Sequence, residues 1–393
     1  MKTKLLLVLF LIVLQNSHAQ WRKITSPYAG NLWAIKFFDK DNGFIGANTA
    51  ILKTTDGGNT WTSKSITNFS INSFSFPSAT VGYYGCNNNI VAKTTDMGAN
   101  WTNQNPNASP YAILSVSFPS VNTGYAVGGA GTIRKTVDGG ATWTSQTSGL
   151  TTGLQEVYFF DANNGICIGD SGKIKKTSNG GATWNTIASG TSEKLYDIYF
   201  VDTNTGFIAG GTGTILKTTN GGQTWTALTS GTTNWLYTIC FKDALTGYAG
   251  GANATLLKTI NGGVTWTAEA SGISTVKSLN DIIYINNRFI AVADQGEIIT
   301  DAPTLSIDES SKEDSSLIMY PNPTSDSFSI DYQNNKNLIL KINIININGI
   351  IVKSKKLDNN QQTIDIKDLS NGVYIVEIKT DKFSTRNKLI IKK

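Results

Sequence analysis

The sequence predicts an all-β protein: a seven-bladed β-propeller (blade 7 closed by the N-terminal strand) followed by a small C-terminal Ig-like β-sandwich. Three observations predict it. A unit recurs six times, its tryptophans Trp61, Trp101, Trp143, Trp184, Trp225 and Trp266 spaced by 40, 42, 41, 41 and 41 residues. Each unit holds four short strands between glycine turns, which is propeller spacing, because one such sheet cannot cover its own faces. Beyond residue 316 tryptophan vanishes, Ile, Asn and Lys take over, and seven short alternating runs follow.

The chain of 393 residues begins with Lys2 and Lys4, then an unbroken apolar run Leu5–Leu14, then Ser17-His18-Ala19 before Gln20. That is the pattern of a secretory signal peptide over residues 1–19. Ten apolar residues span roughly 15 Å as a helix, half of what a membrane anchor needs. No later run approaches 18 apolar residues, so no transmembrane helix is expected in the mature chain. His18 is the only histidine. Its removal would exclude Ser-His-Asp and Cys-His chemistry and histidine-held zinc, and neither a metal nor a cofactor is expected. Residues 20–304, the expected propeller, carry 18 basic and 17 acidic side chains, which argues against nucleic-acid binding.

Within residues 20–304 seven inner strands align: Leu32–Phe37, Ile71–Phe76, Ile113–Phe118, Leu154–Phe159, Leu195–Phe200, Leu236–Phe241 and Leu279–Tyr284. Their first, fourth and sixth positions are apolar or aromatic. Only six complete Asp/Asn-Gly turns with tryptophan follow them. The seventh blade has Ile307 where its tryptophan is due, whereas Trp21 lies 40 residues before Trp61. Trp21–Ile24 is therefore expected as the outer strand of blade seven, joining the two ends of the ring. Cys86, Cys167 and Cys240 fall on blades two, four and six, beyond disulfide reach of one another, and read as small buried residues.

In the repeated turn, Asp56, Asp96 and Asp138 become Asn179, Asn220 and Asn261 in the later copies. A carbonyl oxygen serves to accept backbone N–H groups as well as a carboxylate does, but a metal or catalytic carboxylate would not be exchanged so freely. The turn is thus read as structural. These segments resemble the Asp-box, or BNR, repeat, and full units such as Thr123-Gly-Tyr-Ala-Val-Gly through Trp143 resemble the photosystem II assembly and stability factor family. The resemblance covers residues 21–301 and implies a propeller. It implies no single function, since sialidases, glycosidases and sortilin-like receptors share the turn. A sialidase needs three converging arginines, but Arg22 lies on the expected outermost strand and Arg134 at a position elsewhere held by leucine or alanine.

If each inner strand runs down from the ligand face, its second and third positions crown the axial channel. Glu156 and Asp197 then occupy equivalent places on adjacent blades, with Asp281 nearby in the ring and Trp33, Tyr196, Trp235 and Tyr237 around the mouth. Such a rim would bind a protein or glycan without catalysis. The alternative is a secreted glycoside hydrolase using Glu156 and Asp197 as its acid–base pair. The lysines Lys53, Lys93, Lys135, Lys176, Lys217 and Lys258 recur three residues before each Asp or Asn. A near-neutral propeller favours lysines lying along an apolar strand edge over a cationic ring for a polyanion.

Residues 305–316, rich in Ser and charge, read as a linker. Strands are expected at Leu317–Tyr320, Ser327–Asp331, Leu338–Ile345, Ile350–Lys355, Gln362–Ile366, Val373–Lys379 and Asn387–Lys392, with Asn348-Gly349 and Asn371-Gly372 as turns. Tyr320-Pro-Asn-Pro323, Leu369-Ser-Asn-Gly-Val-Tyr374 and the basic end Lys388–Lys393 resemble the type A sorting domain of the type IX secretion system, over residues 317–393. That implies engagement of the type IX machinery through this domain, and a secreted or outer-membrane surface location. An address outside the cell sits badly with photosystem assembly. The expectation is therefore the scaffold of that family without its photosystem role.

Overall fold

The computed structural model describes residues 21–66, 69–104, 111–301, 317–332, 340–347, 350–357, 361–379 and 384–393. The signal peptide expected at residues 1–19 and the linker expected at 305–316 lie outside the described residues. Two compact units divide the chain, Met1–Asp301 and Ala302–Lys393.

The first unit is built from seven four-stranded antiparallel sheets. Blade one shows the pattern, with strands Leu32–Phe37, Gly43–Ala47, Ala50–Thr54 and Thr62–Ser65 from the axis outward. The second strand is buried at every position and the outermost is exposed throughout. This is the gradient expected when sheets stand radially and each face is covered by a neighbouring blade. The second strands therefore read as continuous apolar runs rather than alternating ones.

One glycine in each of blades one to six is there for space. Gly124 opens the second strand of blade three, and a Cβ on it would lie 2.1 Å from the ring of Phe118. Phe118, the sixth inner-strand position, uses that gap to stack on Tyr83 of the preceding blade, with ring centroids 3.4 Å apart. Tyr125–Phe159 and Phe207–Phe241 repeat the stack at 3.6 and 4.0 Å. The tryptophans also sit between blades. Trp143 packs with Tyr83 and Val91 of blade two and with Ile113 and Phe118 of its own blade.

The expected ring closure is present. Arg22–Ile24 pairs antiparallel with Ile298–Thr300, Ile24 opposite Ile298, completing blade seven. Trp21 is 5% exposed and meets Tyr248 of blade six edge-on at 5.2 Å, taking the place the other blades give their own tryptophan. Cys86, Cys167 and Cys240 are free and buried.

The repeated lysines do more than cover a strand edge. Lys93, Lys135, Lys176 and Lys217 each donate from Nζ to the carbonyl of Gly139, Gly180, Gly221 and Gly262, the residue after the Asp or Asn of the next blade, at 2.9, 2.8, 2.6 and 2.7 Å. Lys53 reaches Met97 in the same way. Blade seven has no such lysine, and Arg288, 5% exposed, donates to the carbonyl of Gly57 in blade one at 2.6 Å. Five of the six lysines are thus latches between blades, whereas Lys258 pairs with Glu269 of its own blade at 3.0 Å.

In the second unit, Leu317–Tyr320, Ser327–Tyr332 and Gln361–Asp365 form one sheet. Ile351–Leu357, Leu340–Asn346, Gly372–Lys379 and Ser384–Ile391 form the other, in that spatial order. Phe328, Ile330 and Ile364 from the first sheet and Ile342, Ile344, Val376 and Leu389 from the second share one core. The expected turn Asn348-Gly349 lies outside the described residues.

Candidate functional site

The seven inner strands converge on an axial cavity of about 830 Å³, lined among others by Trp33, Lys36, Gln155, Glu156, Tyr196, Asp197, Tyr237 and Asp281. A local irregularity shapes its mouth. In all seven inner strands the pairing register shifts between the first and third positions. The second residue is the extra one of a β-bulge, unpaired and free to turn out of the ladder. Trp33, Tyr196 and Tyr237 are such residues, so the bulge is what places them at the rim.

The innermost strand is also a sheet edge, which leaves the N–H of its fourth position in need of an acceptor. The third-position side chain of the preceding blade supplies it. Ser73 Oγ accepts from Val116 at 2.8 Å, Ser115 Oγ from Val157 at 3.2 Å and Asp197 Oδ2 from Ile239 at 2.7 Å. Thr238 Oγ1 accepts from Ile282 at 3.0 Å, and Asp281 Oδ2 from Ile35 at 2.8 Å. Asp197 and Asp281 thus perform the same inter-blade duty as a serine or threonine. Glu156 differs, because its Oε1 accepts the hydroxyl of Ser115 at 2.9 Å.

Electrostatics set these three carboxyls apart from the rest of the surface. Burial, then the neighbouring Asp197, pushes Glu156 well above the usual carboxylate range, despite the Ser115 hydrogen bond. Burial raises Asp197 to about 6, with the backbone bond from Ile239 pulling the other way. Asp281 is pushed up to about 7 by burial and by Asp197, opposed by the bond from Ile35 and by Lys36. Among the described residues no three His, Cys, Asp or Glu side chains are placed to hold a metal ion.

The rim is aromatic on one side. Tyr196 and Tyr237 meet edge-to-face at 5.0 Å, and Trp235, 49% exposed, lies 5.9 Å from Tyr196 and 6.5 Å from Tyr237. Lys194 Nζ sits 5.1 Å over the Tyr196 ring and pairs with Asp170 at 3.3 Å. Trp33, on blade one, is held by Asn48, which accepts its indole N–H at 2.5 Å. Reading the sequence missed Lys36, although the inner-strand alignment held the signal. It is the single charged residue at the fifth position, where the other blades carry Ser75, Ser117, Tyr158, Tyr199, Cys240 and Ile283. Arg134 does not line the cavity. It donates to Ser145 on the outermost strand of its own blade.

Fold and cavity together define a closed Asp-box propeller with an axial cavity, followed in the chain by a C-terminal β unit. The chain belongs to the family described as photosynthesis system II assembly factor YCF48, which it matches over residues 13–108, 103–178 and 176–234. Residues 318–392 match the secretion system C-terminal sorting domain, which implies secretion or surface attachment through the type IX machinery. Among solved structures it is similar to YCF48 from Cyanidioschyzon merolae, at 21% identity and TM-score 0.61, covering 72% of this chain and 98% of that one. It is similar also to a structure described as YCF48 bound to D1 peptide, at 18% identity and TM-score 0.61, covering 71% of this chain and 94% of that one. A structure of U3-55K aligns at 8% identity and TM-score 0.61, over 72% of this chain and 98% of that one, which is a likeness of fold alone. No curated protein sequence matches the chain.

Proposed function

We propose that the chain enters export through residues 1–19 as a signal peptide, and that its propeller acts outside the cell as a non-catalytic binding module for a protein or glycan. The binding face is the axial mouth, with Trp33, Tyr196, Trp235 and Tyr237 at the rim and Glu156, Asp197 and Asp281 below. The observation that carries this reading is the trio of exposed Trp235 with half-buried Tyr196 and Tyr237. Three large rings held within 6.5 Å of one another beside a cavity form a rigid, half-apolar surface of the kind that dominates binding energies. The description of a similar propeller bound to a peptide adds support. Binding is preferred over hydrolysis by Glu156 and Asp197 because Asp197 already has a structural duty shared with serine and threonine at its position.

The test is capture of ligands from peptide and glycan arrays by the full chain, compared with Trp235→Ala and Tyr196→Ala. Loss of an interfacial tryptophan typically costs about 2 kcal/mol or more, so capture should weaken roughly thirtyfold with the melting temperature unchanged. Equal capture by the parent and both variants would place the binding face elsewhere.

A further inference from the structure

The cavity changes character with depth. Its rim offers aromatic faces, whereas its wall brings together carboxyls from blades four, five and seven. Asp197 and Asp281 each give an oxygen to a neighbouring backbone N–H. Glu156 gives Oε1 to Ser115, and its Oε2 has no hydrogen-bond partner among the described residues while its side chain lines the cavity. Lys36 is the one basic residue of the lining, and it forms no ion pair among the described residues. A wall with four carboxyls, Asp294 being the fourth and already bonded to Ser278 and Asn280, one ammonium and an unspent carboxyl oxygen is short of positive charge and of hydrogen-bond donors. The rim meets the same need, since aromatic faces attract cations and Lys194 already rests over Tyr196.

We propose that the axial cavity receives the lysine or arginine side chain of an extended peptide, which passes the rim formed by Tyr196, Trp235 and Tyr237 and ends against Glu156. This rests on the reading of the mouth as the binding face and adds the chemistry of its ligand. A Lys or Arg side chain has the shape for it, an apolar stem for the rings and a donor-rich head for the carboxyls. About 830 Å³ leaves space for the flanking backbone as well.

Proton balance gives the proposal a second signature. The titratable groups lining the cavity are Glu156, Asp197, Asp281, Asp294 and Lys36, with Cys240 and the tyrosines Tyr158, Tyr196, Tyr199 and Tyr237. Blades two and three contribute no charged side chain to the lining. Half-buried carboxyls that hold protons near neutrality must ionise to pair with an entering cation, so a proton leaves to the buffer on binding. Affinity therefore rises with pH between about 5.5 and 8.

The experiment presents the full chain with an array of random octapeptides whose fourth residue is Lys, Arg, Glu or Leu, at pH 5.5 and pH 8, beside a glycan array. The expected result at pH 8 is capture of the Lys and Arg sets about tenfold or more above the Glu and Leu sets, with the advantage shrinking at pH 5.5. Glu156→Gln should reduce the advantage without lowering the melting temperature. Equal capture of all four sets, preference for Glu, or capture of glycans alone overturns the proposal. If Trp235→Ala still abolishes capture of such uncharged ligands, the face stands and the cation assignment alone is lost. If Trp235→Ala changes nothing, both fall.

Discussion

At the residue scale, the Asp-box turn shows what a repeated motif is for. Asp56 Oδ1 accepts the backbone N–H of Asn59 and Thr60, each at 3.0 Å, and the hydroxyl of Thr54 at 2.8 Å. Thr54 Oγ1 in turn accepts the N–H of the buried Gly58 at 2.9 Å. Thr177, Thr218 and Thr259 repeat this with Asn179, Asn220 and Asn261. The exchange of Asp for Asn was legible in the sequence and pointed to structure. The threonine was not, because its role depends on a buried N–H that only the folded turn creates. Burial would raise Asp56, but the bonds from Thr60, Thr54 and Asn59 outweigh it and hold the carboxyl below its ordinary range. Asp56→Asn keeps an accepting oxygen but gives up the stabilisation that the lowered carboxyl contributes at pH 7, so it should cost less than Asp56→Ala, which should cost about 1–2 kcal/mol. Thr54→Val, which strands the Gly58 N–H, should cost about 1–3 kcal/mol. Thermal melts read the order, at roughly 2–4 °C per kcal/mol. An Asn variant as damaging as the Ala variant would mean that the charge alone matters.

At the element scale, the inner strands and the closing strand were legible because both rest on period and count. Leu154, Val157 and Phe159 repeat the spacing of Leu32, Ile35 and Phe37, and Trp21 stands one period before Trp61. The bulge at the second position left no such mark. Trp33, Asn72, Leu114 and Gln155 share no chemistry, since the backbone and not the side chain defines the position. The Arg288 latch was hidden for the opposite reason, lying on the second strand of the one blade that breaks the pattern. Closure by Arg22–Ile24 makes a strong prediction. Deleting residues 21–25 removes a strand ladder and the buried Trp21 and Ile24, and exposes the edge Ile298–Thr300. Loss of a buried tryptophan alone typically costs about 3–5 kcal/mol. The deletion should lower the melting temperature by roughly 10 °C or more and promote association, measured by calorimetry and light scattering. An unchanged melt would mean that the ring holds without its terminal strand.

At the scale of the whole molecule, the axis is where no single blade decides the outcome. Glu156, Asp197 and Asp281 come from three blades, and each repeat alone reads as an ordinary polar position, so the sequence could show a rim but not a coupled, protonated cluster. That coupling has a consequence for stability. Asp197 and Asp281 hold their protons to about 6 and about 7 in the folded ring. An unfolded chain would release them near pH 4. Between roughly pH 4 and pH 7 the unfolded state binds fewer protons than the folded one, so stability must fall as pH rises through that window. Surface carboxyls such as Asp96 and Asp138, held to about 2 by hydrogen bonds from Asn100 and from Thr142, lose their protons below that window in the folded ring, while their unfolded counterparts titrate near its lower edge. They favour folding as pH rises toward 5, but not from 5 to 7. All nine tryptophans lie within residues 21–266, so tryptophan fluorescence reports the propeller and not the sorting domain. The fluorescence-detected melting temperature should fall steadily from pH 5 to pH 7.5, and Asp281→Asn should flatten the slope because an amide neither ionises nor repels Asp197. A melting temperature that rises over this range would show the axial carboxyls to be ionised, and with them would go the proton release assigned to cation binding.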